Sequence, residues 1–565
     1  MADISRLRMM AKIDVWPAFL RRCQYKINKT AADWVTMSYD FIIIGSGFGG
    51  SVSALRLTEK GYRVLVVEKG RRVAPGEFAK DNRELKKWMW NPALGLRGIF
   101  EMSFLRHVTV LHGVGVGGGS LVYANTLPTP KDAFFNAPSW SGLADWKHEL
   151  APHYDTAKRM LGATTNPRET PGDRVIRELG REDGREHLCH PTEVAVYFGA
   201  AGKRSPDPFF DGEGPERTGC TFCGACMTGC NVGAKNTLDH NYLYLAEKRG
   251  AEVRAEREVI ALRPRDGGGY QIEIRPTFGD GPAEILEAPR VILSGGVMGT
   301  IPLLLAMKER DDGLPRLSPR LGQMVRTNSE ALFGVTAPDY EENFHDGVAI
   351  TSIFHTDNHS HIEPVRYGRG SDFFRYLSGP HAPGRWALSR IARSFGLLLS
   401  SPRKWAKFYT MNRNRFSEKS QVLLFMRALE GTMNLELGRS IMTGFRRGIV
   451  SRVEDPDGAP EAFMEDATGL ANRFAQKVGG VVSGLVSETI FGSPTTAHIL
   501  GGACMGEGPD EGVIDHRHQV FGYDGLYVID GSAVSANPGV NPSLTITALA
   551  ERAMNLIPRQ AYERE

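Results

Sequence analysis

The residues best suited to hold a ligand come early, as Gly45-Ser46-Gly47-Phe48-Gly49-Gly50. The spacing Gly45-x-Gly47-x-x-Gly50 suits a dinucleotide. The first glycine allows a tight turn, the second lets backbone approach a pyrophosphate, and the third lets helix and strand pack closely. The pyrophosphate would sit at the helix N-terminus, where free N–H groups and the dipole favour an anion. Glu68 lies 18 positions after Gly50. A carboxylate there accepts hydrogen bonds from both ribose hydroxyls and repels a 2′-phosphate. This fingerprint does not separate NAD from FAD. A second glycine loop, His112 to Ser120, contains Gly113, Gly115, Gly117, Gly118 and Gly119. With side chains nearly absent, its backbone can lie against a large flat ligand.

Two other stretches carry chemical interest. Cys220-x-x-Cys223-x-x-Cys226-x-x-x-Cys230 has the spacing of the bacterial ferredoxin run, with Asn231 where a proline follows there. It admits three readings: an iron–sulfur or other metal site, a buried cysteine-rich loop, or a fragile disulfide. Residues 373 to 417 hold nine Lys or Arg and no acid, and Leu388, Ile391, Phe395 and Leu398 recur there at helical spacing. A basic amphipathic helix of this kind can lie on an anionic membrane surface or pack as an ordinary solvated helix.

The bulk numbers bound these readings. The chain has 565 residues, 41% hydrophobic and 24% charged, enough core for two or three domains. A net charge of +3 gives no reason to expect a nucleic-acid partner. No apolar run reaches the roughly 18 residues of a membrane span. Residues 1 to 37 carry Arg6, Arg8, Lys12, Arg21 and Arg22 with no apolar segment behind them, so they read as an extension rather than a secretory signal. A cytoplasmic location is expected, with peripheral membrane contact open. Seven cysteines, four of them in one run, do not read as a secreted disulfide framework.

The elements that must position these groups follow from the pattern. Residues 39 to 44 predict a buried parallel strand, Ser51 to Gly61 a helix, and residues 63 to 68 a second strand, together a βαβ unit. Val291 to Leu293 and Leu526 to Ile529, each followed by glycine, predict further strands of the same sheet. The expected class is α/β, α+β overall. A Rossmann-type nucleotide domain would comprise 38–329 and 481–565, with an inserted antiparallel-sheet substrate domain at 330–480. Short β-like runs at Val348 to Phe354, Gln421 to Arg427 and Met433 to Leu437 suggest that insertion.

The order of motifs resembles the glucose-methanol-choline (GMC) oxidoreductases, and most of all their bacterial cholesterol oxidase branch. The matching segments are Ile44 to Arg72, Gly113 to Leu127, Cys220 to Glu247, His361 to Gly368 and His498 to Arg552. The block Gly539-Val540-Asn541-Pro542-Ser543-Leu544 is the most specific of them. The resemblance implies FAD. Gly45, Gly47, Gly50 and Glu68 would hold its ADP half, Gly118 and Gly119 would lie near the flavin, and the Val259 backbone would meet adenine. Asp530 and Gly531 would meet the ribityl and pyrophosphate region. Relatives that bind FAD covalently carry a histidine shortly after the glycine-serine pair. Leu121, Val122 and Tyr123 stand there, which implies non-covalent FAD.

By the same resemblance His498 and Asn541 would lie over the flavin. Histidine titrates near the working pH and can accept the hydroxyl proton of an alcohol as hydride leaves for flavin N5. Asparagine can hydrogen-bond the oxygen as its charge changes. His498 is followed by Ile499, where proline is common in the family. Glu363, in His361-Ile362-Glu363-Pro364, falls where cholesterol oxidases keep the base that isomerises the steroid double bond. A sterol or similar lipophilic alcohol and O2, giving H2O2, are the expected reactants. A cluster at Cys220, Cys223, Cys226 and Cys230 would instead pass electrons onward, as in a dehydrogenase. A non-catalytic flavoprotein or membrane-binding module is the third reading.

Overall fold

A computed structural model describes residues 39–456 and 458–560. The extension at 1–37 lies outside the described residues. The nucleotide-type sheet is parallel and five-stranded. Its order is Glu252–Arg254, Val64–Val67, Phe41–Ile44, Arg290–Leu293 and Leu526–Val528. Phe41, Ile42, Ile43, Val64, Leu65 and Val66 are almost fully buried, as a parallel sheet covered on both faces requires. The last strand comes from the far end of the chain, so the sheet closes only when both ends meet. Glu252–Arg254 was not legible because its charges alternate with a single valine.

The first helix runs Phe48–Glu59, three residues earlier than the sequence suggests. Its opening turn is made of the glycine motif itself. A Cβ on Gly49 would lie 1.7 Å from the Ile529 carbonyl oxygen, and one on Gly50 2.1 Å from that of Gly45. Only glycine permits so close an approach of helix to sheet.

A second sheet is antiparallel and seven-stranded. Its order is Ser378–Pro380, Val481–Leu485, Glu330–Thr336, Ser420–Arg427, Ser360–Val365, Ser352–Phe354 and Cys189–Pro191. Two of its strands, Val481–Leu485, second in the order, and Cys189–Pro191, at the far edge, come from outside residues 330–480. Alternation sorts its faces. Phe333, Val335, Ile362, Leu423 and Phe425 pack with Ile176 and Leu179 of helix Pro171–Glu182 and with Phe474 of helix Glu465–Lys477. Leu332, Val365, Val422 and Leu424 face a large cavity. The expected run at Met433 to Leu437 is a strand, Thr432–Gly438, but it belongs to a separate three-stranded sheet.

The basic stretch folds as helices Ala387–Ser400, Pro402–Thr410 and Arg413–Glu418. In the first of these the buried residue is Arg390, which donates to the Thr489, Ile490 and Gly384 carbonyls. Several of its apolar residues face outward instead: Leu388 is 81% and Phe395 63% exposed, while Leu398 packs against the cluster of Trp405, Phe408 and Phe416. Among the described residues no helix is long and apolar enough to cross a membrane.

Candidate active site

Two glycine loops interlock at the C-terminal end of the parallel sheet. Gly45 adopts φ +100°, and a Cβ there would sit 2.3 Å from the Ser294 carbonyl oxygen. A Cβ on Gly118 would sit 2.6 Å from the Gly47 Cα, so the second loop lies directly on the first. The Ser46 hydroxyl ties them together: it donates to Glu68 at 2.7 Å and accepts from the Gly117 N–H at 3.1 Å. The Ser46 and Gly70 N–H groups also donate to Glu68, at 3.0 and 2.9 Å. Helix Phe48–Glu59 starts at Gly47 with no side chain capping it. Its first N–H groups are therefore free for an anion.

Opposite lies Asp530, whose carboxylate accepts from Gly296 N–H at 2.8 Å, Thr300 hydroxyl at 2.6 Å and Ser532 N–H at 2.8 Å. Burial raises its pKa while these donors pull it back, and the net shift is upward. Its oxygens are committed to folding the turn at Gly531. At Val259 the strand Arg257–Pro264 carries a bulge, which takes local backbone out of the ladder. Gly45, Gly47, Glu68, Gly118, Gly119, Val259, Asp530 and Gly531 all line one cavity of about 1710 Å3, together with His498 and Asn541.

His498 follows the short strand Thr495–Thr496, which pairs with Thr109–Gly113. Its backbone N–H donates to the Thr496 hydroxyl at 2.9 Å. Its Nδ1–H donates to Glu330 at 2.6 Å, and the Ala497 N–H donates to the other Glu330 oxygen. The Glu330 side chain is fully buried. Burial lowers the pKa of His498, but the charge and hydrogen bond of Glu330, with Glu363 further off, outweigh it and the net shift is upward. With Nδ1 committed to Glu330, Nε2 is left to accept a proton. Asn541 is buried and its Oδ1 has no protein partner.

The turn before Glu330 sets both groups. Asn328 and Ser329 adopt φ +58° and +41°, which only a constrained backbone holds in residues other than glycine. Asn328 donates through Nδ2 to the Val540 carbonyl at 2.9 Å and accepts from the Gly539 N–H at 2.9 Å. One turn thus grips the loop that carries Asn541 with Asn328, and grips His498 with Glu330.

Models of the GMC oxidoreductase family match residues 215–308 and 485–550, and a model of an NAD(P)-binding Rossmann-like domain matches 43–83. The chain is 41% identical over 536 residues to a cholesterol oxidase of Acinetobacter baumannii, covering 92% of this chain and 94% of that one. It is 44% identical over 555 residues to a cholesterol oxidase of Mycobacterium tuberculosis, covering 92% and 91%. The chain belongs to the GMC oxidoreductase family. Like its relatives, this GMC oxidoreductase is FAD-dependent and acts on CH–OH groups. The fold is shared with pyridoxine 4-oxidase of Mesorbium loti at a TM-score of 0.58 and 15% identity, over 92% of this chain and 99% of that one. The residues present fit FAD: an uncapped helix N-terminus, the buried Glu68 carboxylate beside it and a glycine-lined slot leading to His498.

Of the three readings of the cysteine run, the arrangement in this GMC oxidoreductase favours the buried loop over a metal centre. Among the described residues no three His, Cys, Asp or Glu side chains are placed to hold a metal ion. Cys220 and Cys226 are packed with Val194, Val196 and Val348, while Cys223 is exposed. Burial pushes the Cys220 thiol up to about 12 and that of Cys226 up to about 11, which keeps both protonated. The loop acts as a brace. Lys235, fully buried, donates to the Leu121 carbonyl at 3.0 Å and the Cys226 carbonyl at 2.8 Å, tying the run to the second glycine loop. Glu330 and Asn328 escaped the sequence reading. Their one signal was the polar run Arg326-Thr327-Asn328-Ser329-Glu330, all buried, just ahead of an apolar strand.

Proposed function

We propose that the protein oxidises a secondary alcohol on a sterol or a similar lipophilic substrate. The carrying observation is the Glu330–His498 pair, which opens with Asn541 onto a cavity whose other wall is apolar, formed by Leu332, Ile350, Val365 and Leu424. The two relatives named cholesterol oxidase support the sterol. Gly45, Gly47, Gly50, Glu68, Gly118, Gly119, Val259, Asp530 and Gly531 would hold FAD without a covalent bond, and when bound it would supply the hydride acceptor, with O2 as the final acceptor giving H2O2. His498 Nε2 takes the hydroxyl proton, and Glu330 stabilises the imidazolium that results. Asn541 hydrogen-bonds the substrate oxygen and fixes it at His498. Glu363, fully buried on strand Ser360–Val365, is the base that moves a proton from C4 to C6 of the steroid.

Substrate of this kind resides in membranes. Helix Ala387–Ser400 presents Leu388, Phe395 and Leu399 to solvent beside exposed Ile490 and Phe491 of helix Val486–Phe491. Residues Ser378, Gly484 and Leu485, which adjoin these helices, line the cavity. Outward apolar side chains within a stretch of nine cations suit the surface of an anionic bilayer.

Anaerobic bleaching of the flavin against a panel of sterols, long-chain alcohols and sugars tests the reading. Bleaching by sterols, followed by H2O2 on admitting air, is expected. Bleaching by short alcohols or sugars alone would end the sterol assignment.

A further inference from the structure

The cavity-facing side of the antiparallel sheet carries a file of polar groups for which alcohol oxidation at His498 has no direct use. It starts at the sheet edge. His190, exposed, lies on strand Cys189–Pro191, and its ring centroid is 5.3 Å from that of His355. The His355 ring is 5.8 Å from that of His361, and His361 Nε2 is 3.4 Å from Glu363 Oε1. The register explains the file. Ile353 pairs with His190 and Phe354 with Ile362, which places His355 opposite His361 on the face that Glu363 shares.

These groups are costly where they stand. His361 and Glu363 are fully buried. Both ring nitrogens of His361, both oxygens of Glu363 and Nδ1 of His355 have no hydrogen-bond partner within the protein. A buried polar atom without a partner loses its hydrogen bonds to water with nothing in exchange, and several in a row call for a functional account. Packing alone would be served better by the valines and leucines of the neighbouring strands.

The charged groups around the file are few. Lys131 lies near His355 and donates to the Asp357 and Ser360 carbonyls at 2.6 and 3.3 Å. The Asp357 carboxylate is turned to the N–H groups of His359 and Ser360. At the inner end Glu363 is electrostatically coupled to His498, and Glu330 lies beyond. Burial, with His361, Lys131 and His190, pushes His355 down to about 3, so its ring rests neutral. A neutral imidazole accepts a proton on one nitrogen and releases one from the other, and the three rings lie in contact along the file.

We propose that His361, His355 and His190 form a proton relay that connects Glu363 and His498 to solvent. The relay rests on the reading of His498 as base. The substrate O–H bond breaks as N–H forms on His498. That proton passes to a Glu363 oxygen, then through His361 and His355 to His190 and bulk water. One proton leaves for each hydride transferred, and no oxidant or reductant is involved in the relay itself.

Two measurements on the FAD-loaded enzyme test it. In anaerobic stopped flow with a pH-indicator dye and an alcohol that bleaches the flavin, wild type releases one proton in step with bleaching. In His361→Phe, and independently in His355→Phe, release lags at least tenfold while bleaching stays within threefold. Release that keeps pace in both variants, or its absence in wild type, would overturn the relay. NMR of 15N-histidine-labelled protein needs no substrate: the buried His361 ring N–H exchanges rapidly with water in wild type and at least tenfold more slowly in His355→Phe. Slow exchange in wild type also overturns the relay. Fast exchange without bleaching by any alcohol would sink the catalytic reading and leave the relay standing.

Discussion

At the scale of single residues the site depends on one charge and one missing side chain. Replacing His498 by Ala removes the proton acceptor. Flavin bleaching is expected to slow by roughly 10²–10⁴-fold, the usual worth of general base catalysis, with flavin absorbance unchanged. Glu330→Gln keeps the shape and removes the charge. The imidazole then loses the interaction that raises its pKa. Because the base works when neutral, its working form persists to lower pH, and the acidic limb of the kcat/KM profile moves down. A limb that stays in place would show that Glu330 does not set the basicity of His498. At Gly118 a methyl group meets the Gly47 Cα at 2.6 Å on a backbone with φ +51°. Gly118→Ala should therefore purify largely without FAD, which the ratio of flavin to protein absorbance reads directly.

Elements decide how these residues reach one another. The strained turn at Asn328 and Ser329 is a clamp on two loops, so its effect exceeds that of either hydrogen bond alone. The cysteine run is a brace on the second glycine loop. Cys223 is exposed, and Cys223→Ser should leave turnover within about twofold, as surface changes generally do. A loss of iron together with activity in that variant would restore the metal reading. Helix Ala387–Ser400 makes the clearest element-scale prediction. Leu388→Ser with Phe395→Ser should abolish sedimentation with anionic vesicles and slow turnover of vesicle-embedded sterol, while detergent-solubilised sterol is oxidised at the wild-type rate. Each leucine- or phenylalanine-sized group withdrawn from lipid forfeits about 1.5–3 kcal/mol.

For the whole molecule the cavity is the joint. Its walls come from the parallel sheet, the antiparallel sheet and both ends of the chain. A ligand that bridges all of these stabilises them together. FAD at 100 times its Kd adds about 2.7 kcal/mol. Calorimetry should show one transition for the FAD-loaded protein and a lower Tm after FAD is stripped. A transition unmoved by stripping would place FAD outside the structural core.

The βαβ unit, the glycine loops and the C-terminal His498/Asn541 block were legible in sequence because each is local. A glycine turn between strand and helix states its own geometry, and four-residue apolar runs state their burial. These readings determined the dinucleotide fold and, through the resemblance, the family. Strand Glu252–Arg254 was not legible, and the sequence left open both the exposure of helix Ala387–Ser400 and the packing of Cys220 and Cys226, because burial there depends on which segments come to cover them. The same holds for Glu330, which lies 168 positions from His498 in sequence and 2.6 Å from it in space. The histidine file likewise exists only in strand register. Sequence determined which residues can do chemistry; tertiary structure decided which charges face them, because electrostatic coupling depends on separation in space rather than along the chain.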